Sequence, residues 1–102
     1  MPAVARGATA DSVKTNHGCT SSTTTEGKSS NVFVNGIGIH RKSDLNTSHI
    51  YPVGNSCPPH QTAISVGSTT VFANALGVAR IGDSYTGGEE VSSGSSNVFA
   101  GG

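Results

Sequence analysis

"GKSSNVFVNGIGIHRKSD", Gly27 to Asp44, returns as "GSTTVFANALGVARIGD", Gly67 to Asp83. Its first half returns again as "GSSNVFAGG", Gly94 to Gly102, and the N-terminal "VARGATADS", Val4 to Ser12, supplies the missing second half, matching "VARIGDS" with two residues inserted. Internal repetition at this scale means that each unit is one small supersecondary element that cannot bury its apolar face alone. Each unit runs from an Arg…Asp start, through a variable stretch, to a Gly-Ser-x-x-Val-Phe strand, and three such units predict pseudo-threefold symmetry. Within a unit, "NVFVNG" carries the aromatic and β-branched residues of a strand, Asn35-Gly36 signals a two-residue turn, and "IGIHR" forms the return strand. No segment of a dozen residues shows a 3.6-residue apolar period, so the fold class is all-β. Phe33, Phe72 and Phe99 hold equivalent places and are expected to meet, with the neighbouring valines, in one small core.

Composition bounds what this fold can do. With 102 residues the chain suits one domain, residues 1–102, and a domain of this size often needs a metal or disulfide staple. Only 12% of residues are charged, six of each sign, so the chain lacks the basic footprint of a nucleic-acid or anionic-membrane binder. The longest apolar runs are four or five residues, too short to span a bilayer, and the N-terminal "MPAVARGATADS" lacks the apolar stretch of a signal peptide. Synthesis in the cytoplasm is expected, where two cysteines are thiols or metal ligands before they are a bridge.

The variable stretches hold the chemistry. Four histidines and two cysteines are the borderline or soft ligands of the chain, and all but His40 lie in these stretches: His17 and Cys19 in the first, His49, Cys57 and His60 in the second. The stretches emerge at one pole of a threefold arrangement, so ligands distant in sequence are expected together. His17-Gly18-Cys19 can point two side chains to one side of an extended strand, and Cys57-Pro58-Pro59-His60 has the spacing of a loop wrapped around an ion. Three histidines and one cysteine would saturate a tetrahedral structural zinc, with either cysteine as the fourth ligand; a Cys19–Cys57 disulfide is the competing reading. His40 sits inside a repeated hairpin, where the next unit has Ala79, and is expected to be exposed. Asp44 and Asp83, each just after Arg41 and Arg80, read as turn and pairing residues. Glu26, Glu89 and Glu90 read as solvated. No nucleophile motif accompanies the Ser/Thr residues, and a zinc with four protein ligands has no open position, so no enzyme is expected.

Three units built on "VARIGDS" and "GSSNVF", with His-Gly-Cys and Cys-Pro-Pro-His inserts, resemble the PAAR-repeat proteins over nearly the whole chain. The family's Pro-Ala-Ala-Arg is present in altered form as Ala3-Val4-Ala5-Arg6, Gly38-Ile39-His40-Arg41 and Gly77-Val78-Ala79-Arg80. The resemblance implies a small cone that caps the trimeric β-helical spike of a contractile injection machine, a monomer on a trimer, with a zinc at its vertex. It implies His17, His49 and His60 as the histidine ligands. Many relatives carry a cysteine after the third Arg…Asp, where this chain reads "DSYTGGEE". The fourth ligand is therefore expected from Cys19, as in phage-type members, with Cys57 as the alternative.

The implied function is mechanical: a tip that pierces a bacterial outer membrane when the sheath contracts. The chain as read carries no fused toxin, which implies a phage tail tip in the virion before a tip secreted by a type VI system. A zinc-stabilised adhesion module is the reading from another class, and it predicts a polar surface all round.

Overall fold

The backbone N–H of Ala5 donates to the carbonyl of Ala79 at 2.8 Å, that of Ala79 to His40 at 2.9 Å, and that of His40 to Ala5 at 3.1 Å. This closed triangle of hydrogen bonds joins one equivalent residue from each repeat, and it organises the computed structural model, which describes Met1–Gly102. The chain is all-β, in nine short strands: β1 (Ser12–Lys14), β2 (Ser22–Thr24), β3 (Phe33–Val34), β4 (Ile37–Gly38), β5 (His49–Ile50), β6 (Pro59–His60), β7 (Phe72–Ala73), β8 (Leu76–Gly77) and β9 (Glu90–Val91).

Two of the three repeat hairpins are continuous. β3 pairs antiparallel with β4 and β7 with β8, in the same register: Phe33 opposite Gly38, Phe72 opposite Gly77. The turns have positive φ at both central residues, 56° and 76° at Asn35-Gly36 and 54° and 65° at Asn74-Ala75, as a two-residue hairpin of right-handed twist requires. The third hairpin is split between the chain ends, with Ala3 bridged to Phe99 and the Val4 N–H donating to the Val98 carbonyl. Gly38 and Gly77 allow close packing: a Cβ there would stand 2.4 Å from the Ser29 carbonyl oxygen and 2.3 Å from that of Ser68.

The same side-chain pattern recurs three times. Arg6 donates through Nε and Nη2 to Asp11, Arg41 to Asp44, and Arg80 to Asp83. Ser29, Ser68 and Ser95 each accept two backbone N–H bonds two and three residues ahead, which bends the chain into the hairpin strand. The pairing role expected of Asp44 and Asp83 is what the structure contains.

The phenylalanines do not meet. Phe33, Phe72 and Phe99 are 58%, 58% and 49% exposed, and the core beneath them consists of Val4, Val34, Ile39, Ala73, Val78 and Ala100. The reason is the two-residue alternation of a strand: Val34 and Ala73 point to the axis, so the preceding phenylalanines point out. A second apolar layer, Ala5, Val13, Ile64, Ala79, Tyr85 and Val91, lies on the other side of the hydrogen-bonded triangle. Beyond it, β1 carries β2 on one edge and β9 on the other, while β5 and β6 form a separate ribbon. The molecule is elongated, 41 × 23 × 23 Å, with the repeat hairpins towards one end and the variable stretches towards the other.

His40 also departs from expectation. It is 0% exposed; its Nδ1 is 2.6 Å from the Gly27 carbonyl and its Nε2 is 2.8 Å from the Tyr85 hydroxyl. The carbonyl only accepts, so Nδ1 carries the hydrogen and Nε2 takes one from Tyr85. The imidazole fills axial space that alanines leave in the other two units.

Candidate metal centre

Three loops from different units converge. β5 and β6 pair with His49 directly opposite His60, so one ribbon delivers both rings. His17 follows β1 after a turn at Asn16, whose φ of 61° the asparagine tolerates. Glu89 immediately precedes β9, and the pairing of Lys14 with Glu90 carries it alongside the loop that holds His17. The Asn16 amide fastens the two, donating to the Gly88 carbonyl at 3.0 Å.

The four side chains meet at one point. Glu89 Oε2 lies 3.1 Å from His17 Nε2, 3.0 Å from His49 Nε2 and 2.7 Å from His60 Nε2, and all four donor atoms fall within 4.8 Å of one another. His49 and Glu89 are buried, His17 and His60 half-buried. Tyr51 stacks on His60 with ring centroids 4.4 Å apart and presents an edge to His17. His17 and His49 stack on each other at 5.2 Å.

Hydrogen positions decide what this arrangement needs. His17 Nδ1 is 2.9 Å from the Gly18 carbonyl and His49 Nδ1 2.9 Å from the Thr47 carbonyl. Each carbonyl only accepts, so each Nδ1 carries a hydrogen, and a neutral ring then offers a lone pair at Nε2. Those lone pairs face a carboxylate oxygen and, at 3.2 Å, each other. Lone pairs cannot satisfy lone pairs: the rings must be protonated or a cation must sit among them. Two stacked imidazolium ions would repel, whereas one divalent cation serves all four atoms at once. The donor set therefore fits a metal, with backbone carbonyls orienting the rings as outer partners do in metal sites.

Burial opposes the charge of Glu89, yet its own backbone N–H, the Thr62 hydroxyl and the His49 and His17 rings beside it outweigh that and hold the carboxyl well below the usual carboxylate range. At 0% exposure Glu89 is the opposite of the solvated residue expected from the sequence, whereas Glu90 stays at the surface with Lys14 at 3.2 Å. The cysteines are elsewhere too. Cys19 and Cys57 are bonded to each other, Cα atoms 6.1 Å apart, so neither sulfur joins the cluster. The physical reason is local: Glu89 already fills the fourth place, and the spacing of the two cysteines is one a disulfide spans without moving the backbone. The disulfide fastens the His17 loop to the His60 loop.

The model of the PAAR motif family matches residues 11–93 of this chain. The chain belongs to the PAAR-motif family. No curated protein matches it. PAAR proteins are the spike tips of type VI secretion systems and related contractile machines, a structural role, and this chain shares it. The match begins at Asp11, in the first Arg…Asp pair, and ends at Ser93, whose hydroxyl donates to that same Asp11, so it covers every loop of the cluster. Sequence reasoning missed Glu89, and the signal lay in the third stretch, "DSYTGGEE", where the resemblance implied a cysteine and this chain has carboxylates.

Proposed function

We propose that this chain is one domain, residues 1–102, forming the piercing tip of a contractile tail spike of the phage type, closed at its vertex by a zinc ion on His17, His49 and His60. The observation that carries the reading is polarity along the long axis: converging imidazoles at one end, exposed phenylalanines at the other. A structural ion adds its binding free energy to folding where the layers of the molecule have run out of apolar core. The base, with Phe33, Phe72 and Phe99 and the neighbouring Val71 and Val98 in contact with solvent, offers apolar surface in three equivalent places. A trimeric β-helical spike matches that symmetry and covers the surface. The His-Gly-Cys and Cys-Pro-Pro-His inserts favour the phage type, made in the host cytoplasm and carried at the virion tail tip. Contact with the outer membrane is then transient, and the chain performs no catalysis.

Metal analysis of the untagged protein tests the vertex. Stoichiometric zinc is expected, lost together with thermal stability in His17→Ala, His49→Ala and His60→Ala. Unchanged metal content and melting in all three variants would sink this reading. The base is tested by capture on a trimeric spike, which Phe33→Asp combined with Phe72→Asp should abolish.

A further inference from the structure

We propose that Glu89, and not a cysteine thiolate, supplies the fourth donor of the centre. The ion is then held by three imidazole nitrogens and one carboxylate oxygen, and the site selects a first-row divalent cation over a thiophilic one. This rests on the metal reading above and adds to it which atom completes the shell and what that atom excludes.

Three observations carry it. Both cysteine sulfurs are consumed in the Cys19–Cys57 bond. Glu89 Oε2 alone stands within hydrogen-bonding distance of all three Nε2 atoms. The other carboxylate oxygen is already engaged: Oε1 accepts from the Thr62 hydroxyl at 3.0 Å. That hydroxyl has one hydrogen to give, and the buried Asn46 fixes where it goes. Asn46 Nδ2 donates to Thr62 Oγ1 at 2.9 Å, while its Oδ1 accepts the Thr62 backbone N–H at 3.0 Å. The Asn46–Thr62 pair thus ties Oε1 down and leaves Oε2 as a single-atom donor. Gly87 leaves the room the carboxylate occupies, since a Cβ there would stand 2.5 Å from Oε1 and 3.0 Å from His60 Nε2.

The chemical consequence concerns selectivity. Thiolate is the soft donor that draws Cd2+ and Cu+ into a site, whereas imidazole with carboxylate suits zinc, cobalt and their neighbours. A centre without thiolate also keeps its donors when the surroundings turn oxidising, because its cysteines are already spent as a cross-link.

The test loads the untagged full-length chain with Co2+ under non-reducing conditions and reads its absorption spectrum. Visible ligand-field bands are expected without the sulfur-to-cobalt charge-transfer band of the near ultraviolet. Glu89→Cys should gain that band and shift preference towards Cd2+. Glu89→Gln should weaken Co2+ binding by at least the ~10–100-fold typical of losing an outer partner, and Thr62→Val by about tenfold. The Cys19→Ser, Cys57→Ser double variant should bind Co2+ without the band. A charge-transfer band in the wild-type chain overturns the proposal, as does Glu89→Gln binding Co2+ at wild-type strength. If Glu89→Gln fails to fold, the wild-type spectrum and Glu89→Cys still decide. Wild-type protein that takes up no Co2+ defeats the metal reading and this one together; Co2+ lost in His49→Ala but indifferent to position 89 defeats this one alone.

Discussion

The two ends of the molecule solve the same problem by opposite means. At the hairpin end, three near-copies of one sequence close a ring of main-chain hydrogen bonds, and each repeats its Arg–Asp pair and its serine turn. At the loop end nothing repeats: one unit contributes a histidine, the next two, and the last a glutamate. Symmetry can build a shared apolar core because every unit turns the same face to the axis. It cannot build a four-donor cluster from three units, so the loops diverge. Periodicity specifies the scaffold, and its breakdown marks the chemistry.

The largest test of this contrast removes one ion pair from the symmetric end. Arg80→Met leaves the buried Asp83 carboxylate without its ion-pair partner and takes away one of the donors to the Gly101 carbonyl, which keeps the Ser68 and Thr70 hydroxyls. A loss of ~3–5 kcal/mol is expected in chemical denaturation. Arg6→Met, at the most exposed of the three arginines, should cost less. Equal losses would mean that the repeats are energetically interchangeable.

Next in size is the disulfide. Its cysteines are 38 residues apart, and reducing it should cost ~2–4 kcal/mol. Hydrogen exchange should then show faster opening of the β5–β6 ribbon, while the amides of Ala5, His40 and Ala79 stay protected. Parallel loss of protection at both ends would refute their independence.

A smaller effect comes from pH. Desolvation holds the His40 imidazole below its ordinary 6.5, against the opposing influence of the Gly27 carbonyl, Asp44 and Asp11 and with that of Arg41. The unfolded chain therefore takes up a proton near pH 6.5 that the folded chain refuses. The contribution is fully present above that pH and is lost as pH falls below it. His40→Gln should flatten the stability profile of the metal-free protein between about pH 6.5 and 5. An unchanged slope would remove His40 as its source.

The smallest effect is a gain. Ala75 holds a φ of 65° where the equivalent hairpin has Gly36, so Ala75→Gly should raise stability by ~1 kcal/mol, read as a higher melting temperature. A decrease would show that the two turns are not equivalent.

How much of this was legible depends on which end is considered. The hairpins, the Asn35-Gly36 turn and the Arg–Asp pairs were all readable, because local propensity and repetition report the same structure twice. The orientation of Phe33, Phe72 and Phe99 was not, since an apolar residue in a two-residue strand reads alike on either face. The three histidines of the cluster were readable as a group by their confinement to the variable stretches. Glu89 was hidden because a buried carboxylate differs from a solvated one only through its neighbours, here Thr62 and three rings that lie far off in sequence. His40 was misjudged for a related reason: its repeat partners are alanines, and the space they leave on the axis appears only once the units are assembled.

The third hairpin is made of the chain's two ends, Ala3 with Phe99 and Val4 with Val98. On a ribosome, the first of these strands is synthesised early and must wait unpaired for Val98 and Phe99 to emerge. Contacts this distant in sequence slow folding, so the hairpin that completes the threefold arrangement forms after the two continuous ones.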